Sequence, residues 1–444
     1  MPKIRVLVNS YSARGVASYS VIARALWTRL VKSGEVDIIQ LGFFHKPILD
    51  NVPWQIIQTQ LVQDPQLGVV GFDKKDQWGE ISFPSVVQQF KPDIVWSLAD
   101  LYMVRYVPRF ARKYGFKQVY WSLTPGDPID RTDVPMIATA DACVSMTDYA
   151  ANHWKRHTDR DYPVIPLGVD TKIFRPVSRE EKADLRAVHT KGRVGTDDFL
   201  ILYVGRNQER KRPWIPFEVL HYLRTGAWGI DDRGVPHLQP WDPHTKSHLE
   251  NPQILFPAKP VPAHLWVHSA EQEGRWSFKT LSERWQVEPG VLFTDNLGEG
   301  RGLDEADMAV LYKMSDCLSM VSGAEGFGVP LIEAAAVGIP SVYTDYSGCG
   351  EVGAKTLGYP VRVSGFNPSA GNHINVANPD VAHAVSQFYQ AFEDRNSDMA
   401  QIHSESRIRI VNDDFNWDSI AMDWLKLLRE VHARKPIHTM GALV

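Results

Sequence analysis

Short apolar runs alternate with amphipathic stretches along the whole chain. Residues 4–9 (IRVLVN) predict a first strand, because a short run of this kind suits a strand covered on both faces. A loop at 9–16 follows. Val21, Ile22, Ala25, Leu26 and Leu30 then recur at helical spacing, with Ser18 as candidate cap and Gly34 as stop. The same reading places strands at 36–42, 93–98, 118–123 and 141–146, with helices from about 101 and at 148–157. A second series opens with a strand at 199–205. Strands at 263–268, 291–294, 317–321 and 341–344 continue it, with helices at 276–285, 305–314, 331–337, 380–393 and 399–411. A last amphipathic helix runs to about 431. Strand–helix alternation twice over predicts two α/β domains of Rossmann-like type. Residues 182–196 are charged with few apolar positions and read as a linker. Residues 226–262 are proline-rich and polar and read as an insertion.

Composition changes this picture little. With 444 residues, 44% hydrophobic and 23% charged, the chain is that of a soluble globular protein of two domains. No apolar run approaches a membrane span, and the run at 4–9 is too short for a signal peptide. Cys143, Cys317 and Cys349 are odd in number and widely spaced, which predicts neither a disulfide framework nor a zinc site. A cytoplasmic location follows as the expectation. The net charge of −4 does not point to nucleic acid. The 14 tryptophans are spread widely and predict core or cleft-wall positions.

The candidate chemistry centres on AEGFGVPLIEAAAVGIPSV at 324–342. Pro330 suits a first helical turn, Gly338 a left-handed cap, and residues 341–344 a buried strand. Gly326 and Gly328 permit close approach of a ligand to the backbone. The amides of Phe327, Gly328 and Val329 stand at the positive end of the helix. Glu325 precedes that helix and Glu333 lies one turn inside. Two carboxylates beside bare amides suit a ligand with both hydroxyls and phosphate, such as a nucleotide sugar. An ordinary loop–helix junction would read the same way. Arg206 and Lys211 stand past the strand at 199–205, where open α/β sheets bind ligands, and Arg210 and Arg212 add charge. Arg105, Arg109, Arg112 and Lys113 share a helix face, either solvated or facing an anionic acceptor or membrane surface. The first loop lacks G-x-G-x-x-G, which disfavours a dinucleotide dehydrogenase.

The 324–342 stretch resembles the E-x7-E signature of retaining family 4 glycosyltransferases. Gly205-Arg206 to Lys211 resembles the family's G-R-x4-K loop, and 164–176 its I-P-x-G-V-D hinge. The resemblance implies the GT-B fold: two Rossmann-like domains facing across a cleft, the C-terminal helix crossing back to the first. It implies an acceptor-side domain at 1–178 with a terminal helix at about 418–444, and a nucleotide-sugar domain at 179–417. Glu325 would then meet the sugar and Glu333 the ribose. Arg206 and Lys211 would grip the diphosphate, and the amides of Phe327, Gly328 and Val329 would hold the sugar. Gly15 is the candidate amide for the donor phosphates, though a turn glycine would read alike. Loop 345–351 would supply further amides, and loop 297–300 would contact the base. Family members place a histidine near the sugar at the end of the strand at 118–123. Here Thr124 or Asp127 stands instead, which puts the sugar's identity in doubt.

The activity implied is retaining transfer of a hexose-type sugar from a UDP- or GDP-linked donor to a hydroxyl acceptor. No cofactor and no metal are expected, because two cations can offset the leaving diphosphate. The acceptor is left open among glycan, lipid, small molecule and modified DNA, and no stable protein partner is inferred. Two alternatives stand beside this: the same chemistry on a hydroxymethylated DNA base, and a non-catalytic sugar-nucleotide-binding protein. Related folds also host phosphorylases and epimerases.

Overall fold

The computed structural model describes residues 2–15, 17–43, 52–59, 61–63, 70–72, 74–271, 274–294, 302–369 and 374–435. Its contacts divide into two units. Unit 1 is Met1–Gly168 with Asn416–Val444, and unit 2 is Val169–Phe415.

Unit 1 holds a parallel sheet of β1 (Ile4–Tyr11), β2 (Val36–Phe43), β3 (Gln55–Gln58), β4 (Ile94–Leu98), β5 (Lys117–Ser122) and β6 (Ala142–Ser145). Their spatial order is β3-β2-β1-β4-β5-β6. Unit 2 repeats the plan with β7 (Phe199–Val204), β8 (Ala263–His268), β9 (Val291–Phe293), β10 (Cys317–Met320), β11 (Ser341–Thr344) and β12 (Tyr359–Val361). The order here is β9-β8-β7-β10-β11-β12. Both sheets therefore follow the Rossmann order, built outward in both directions from the first strand. Each has a topological switch point beside that strand, where ligands bind in such folds. In unit 1 it lies between β1 and β4, and in unit 2 between β7 and β10.

The core of unit 1 explains why a C-terminal helix belongs to it. Trp424, on the helix Trp417–Ala433, is fully buried and packs edge-on against Trp96 of β4 and Trp121 of β5, at 5.6 and 5.0 Å between rings. Trp27 meets the other side of Trp96 at 5.1 Å. Four of the tryptophans thus form one aromatic core. Gly168 lies against Trp417, and a Cβ there would come within 2.7 Å of the indole ring, so only glycine fits. The contacts divide at Gly168/Val169 rather than at 178/179, because the hinge itself packs into unit 2. The Val169 amide donates to Phe415 O at 2.9 Å, and the buried Phe174 ring meets Tyr312 at 5.8 Å.

Several expectations need correction. Ser18 opens its helix but does not cap it; Ala17 holds the cap position, without a side-chain bond. The helix expected from about 101 is a 3-10 turn, Leu101–Val104, followed by the helix Val107–Tyr114, with Pro108 at its start. The linker at 182–196 is mostly helix, Arg179–His189, capped by the Ser178 side chain. Its Arg186 is buried, with Nε donating to Met314 O at 2.6 Å and Nη2 paired with Asp316 at 2.5 Å. A charged sequence hid a buried ion pair. Residues 226–262 form small antiparallel sheets rather than a bare loop: Trp228–Ile230 pairs with Pro236–Leu238 and Phe256–Pro257, and Trp241–Asp242 with Ser247–His248. Strand β3 went unread because QIIQ carries too few apolar residues to stand out.

Candidate functional site

The switch point of unit 2 brings together the loops after β7 and β10. The backbone ties them: the Gly323 amide donates to Arg210 O at 2.7 Å, and the Ser322 hydroxyl to the same oxygen at 3.1 Å. This registration carries Lys211 onto Glu325. Lys211 Nζ donates to Glu325 Oε1 at 2.5 Å, while Arg210 Nη1 lies 3.4 Å from Oε2 and donates to Ala324 O at 2.7 Å. Glu325 is only 5% exposed. Burial alone would raise its carboxyl, but the two cations outweigh that and hold it below the ordinary value. The side chain is therefore ionised across the neutral range.

Arg206 stands at the end of β7 and is exposed, outside this pair. Arg210 is the cation that the sequence treated as background and the structure places on the carboxylate. Arg212 departs the other way. It is buried, its Nη2 donating to Asn378 Oδ1 at 2.7 Å and Ala377 O at 3.1 Å, so its task is to hold the 374–379 segment.

The helix after Glu325 runs Val329–Ala336, with Pro330 in its first turn and Gly328 as cap at φ +95°. That left-handed angle requires glycine. No side chain caps the terminus, and of the first-turn amides Leu331 donates to Gly328 O at 2.9 Å. Phe327 is buried against Phe415, with ring centres 6.0 Å apart. Gly338 takes φ +89°, as its cap role predicts. The 345–351 loop differs from expectation. Ser347–Lys355 is a helix, and the Gly348 amide is spent on Glu325 O at 3.1 Å. A Cβ on Gly348 would come within 2.4 Å of Gly326 O, so this glycine exists for close packing behind Glu325.

Glu333 is half-buried and not solvated: the buried Tyr312 hydroxyl donates to its Oε2 at 2.5 Å. Burial pushes its carboxyl up to about 7, with Glu305 adding to the rise. A ribose diol placed here, as the resemblance implies, would donate to the ionised form and draw this pKa down. UDP-glucose or GDP-mannose should then bind more tightly as pH rises from 6 to 8, with proton release near pH 7. Calorimetry in two buffers of different ionisation heat measures this. Glu333→Gln should abolish the release, and an unchanged release would remove Glu333 from the ribose.

Unit 1 places its candidates at its own carboxyl edge. The Gly15 amide already donates to Ser12 O at 3.0 Å, and Arg24 Nη1 donates to Gly15 O at 3.0 Å. Gly15 is thus a turn glycine here, and a phosphate would have to displace its amide bond. Thr124 is also engaged, accepting from Trp154 Nε1 at 2.7 Å. Asp127 is half exposed and pairs with a residue that the sequence missed: His153 Nε2 lies 3.3 Å from Asp127 Oδ1. Arg156 Nη2 lies 2.7 Å from His153 Nδ1, so Nδ1 accepts and the ring proton sits on Nε2, which has no aligned acceptor among the described residues. Burial lowers the His153 pKa and keeps the ring neutral. Its one signal in the sequence is a place on the apolar face of Asp148–Thr158, beside Ala150 and Trp154. The basic face at 105–113 is partly neutralised. Arg105 pairs with Asp133 at 2.9 Å and Asp130 at 3.1 Å, and Arg109 with Glu80 at 3.1 Å. The expected base loop, 297–300, lies outside the described residues.

The fold these two units define is GT-B. Sucrose-phosphate synthase from Thermosynechococcus elongatus superposes with a TM-score of 0.69 at 16% identity, covering 97% of this chain and 100% of the other. The Anabaena protein HepE in complex with UDP-glucose superposes at 0.63 and 14% identity, covering 96% and 100%. Residues 279–363 match the family model "Glycosyl transferases group 1", a span that includes Glu325 and Glu333. A D-inositol 3-phosphate glycosyltransferase of Paenarthrobacter aurescens (strain TC1) is 26% identical over 286 residues, 64% of this chain. The match spans about half of that relative, 55% of its length. Among the described residues, no helix is long and apolar enough to cross a membrane.

Proposed function

We propose that this protein is a retaining glycosyltransferase. It moves a hexose-type sugar from a UDP- or GDP-linked donor to a hydroxyl acceptor. The observation that carries this reading is the buried Lys211–Arg210–Glu325 cluster at the switch point of unit 2, beside an uncapped helix N-terminus. The group 1 match and the glycosyltransferase relative support it. Retention rests on the E-x7-E resemblance.

Glu325 meets the donor sugar, Glu333 the ribose, and Arg206 and Lys211 the diphosphate. The bond from the anomeric carbon to the phosphate oxygen breaks, and a bond to the acceptor oxygen forms on the same face. The acceptor's proton goes to the departing phosphate oxygen. Lys211 and Arg206 stabilise the charge growing there, so the reading needs no metal. Unit 2 takes the donor and unit 1 the acceptor. Asp127, beside His153, takes the polar contact that a histidine makes in the resembling family. The ion pairs at Arg105 and Arg109 weaken one feature that spoke for a DNA acceptor.

A thermal-shift screen of UDP, GDP, ADP and their sugars tests the donor assignment. One nucleoside diphosphate should raise the melting temperature by mass action. The rise should shrink in Arg206→Ala. An unmoved melting temperature with every compound would sink the reading.

A further inference from the structure

Unit 1 contains a cavity of about 370 Å³ that none of the roles above uses. Lys75, Trp78, Glu80, Tyr102, Arg105 and Arg109 line it, with others. Tyr102 and Arg105 come from the segment that follows β4, so the cavity stands at the carboxyl side of the strand next to the unit 1 switch point. That is where open α/β sheets bind ligands. Its size falls at the lower end of small-molecule pockets, about 300–1,000 Å³.

The walls are preformed. The Tyr106 hydroxyl lies 2.7 Å from Trp78 O and 3.2 Å from Asn9 Oδ1 on β1, joining the 78 turn to the sheet. Asp76 Oδ1 accepts from the Ile81 amide at 2.7 Å and holds the same turn closed. Trp78 and Tyr102 meet edge to face, with ring centres 5.5 Å apart at 84°. Tyr102 remains 46% exposed, so much of its ring stays open to a ligand.

The charges decide what kind of ligand fits. Arg109 faces Glu80, and Arg105 faces Asp130 and Asp133. Each guanidinium is already balanced by a carboxylate, and Lys75 adds a further cation to the lining. The lining offers donors and acceptors side by side next to an aromatic face. A pyranose has the matching surface: an apolar C–H face for the ring, and neighbouring hydroxyls that each donate and accept. We propose that this cavity binds a pyranose of the acceptor, stacked on Tyr102 and Trp78 and hydrogen-bonded by the Arg109–Glu80 pair. The proposal rests on the transferase reading for the word acceptor, and on the cavity alone for the sugar.

Saturation-transfer NMR tests it with four probes: the methyl glycosides of glucose, galactose, mannose and N-acetylglucosamine. At least one should receive saturation from the wild-type protein with UDP-glucose present. The signal should fall several-fold in Tyr102→Ala, an exposed position whose loss leaves the core intact, and also in Glu80→Gln. No transfer to any probe, or transfer that survives both substitutions, overturns the proposal. Failure of the transferase reading looks different: the glycoside signal depends on Tyr102, yet neither UDP-glucose nor GDP-mannose binds.

Discussion

Lys211→Ala is expected to weaken nucleotide-sugar binding by about 2–5 kcal/mol, the usual loss when one partner of a desolvated charge contact is removed. That is roughly 30-fold to several-thousand-fold in Kd. The loss has two sources. The diphosphate loses a cation, and Glu325 loses the closer of its two partners, leaving Arg210 at 3.4 Å. The second source has its own signature. In the wild type the cations hold the Glu325 carboxyl low against burial, so it stays ionised well into acid. Without Lys211, burial gains weight and the carboxyl rises. The acid limb of the pH–rate profile should therefore move to higher pH in the variant. Arg206→Ala should weaken donor binding without moving that limb, because Arg206 is not in the pair. A Lys211→Ala enzyme with wild-type donor affinity and an unmoved acid limb would refute the pair's role.

Trp424→Ala should cost about 3–5 kcal/mol of unit 1 stability, the range for removing a large buried aromatic side chain. The ring is fully buried between Trp96 and Trp121, on the helix that returns from the far end of the chain. Its loss leaves a cavity under that helix. Denaturant unfolding followed by tryptophan fluorescence should show a transition at clearly lower denaturant. Nucleoside diphosphate affinity in native buffer should hold, because the cations and glutamates of the proposed donor site lie in unit 2. Unfolding at the wild-type denaturant concentration would mean the helix does not seal this core.

The strand–helix alternation of two Rossmann-like domains was legible because most sheet strands are apolar runs bounded by polar residues. It was not legible at Gln55–Gln58, an edge strand with little apolar character, nor at the three-residue edge strand Tyr359–Val361. Glu325 and Lys211 were legible as a pair of motifs, but their direct contact was not, since 114 residues separate them. Arg210 and Arg212 show the limit of reading charge alone. Two neighbouring arginines in one basic loop end up with opposite tasks, one on the Glu325 carboxylate and one buried against Asn378. Gly348 looked like a phosphate-binding glycine and serves packing behind Glu325. His153 was hidden because a histidine on an apolar helix face carries no motif, and only the fold brings it to Asp127.

The most direct measurement of the central claim is the anomeric form of the sugar first released from an α-linked donor. UDP-glucose and GDP-mannose, whichever binds, should be incubated with the protein and followed by proton NMR before mutarotation. Slow hydrolysis in place of transfer should give the α-sugar first, and Glu325→Gln should suppress its release. A β-sugar appearing first would contradict retention, and intact donor after prolonged incubation would contradict a transferase.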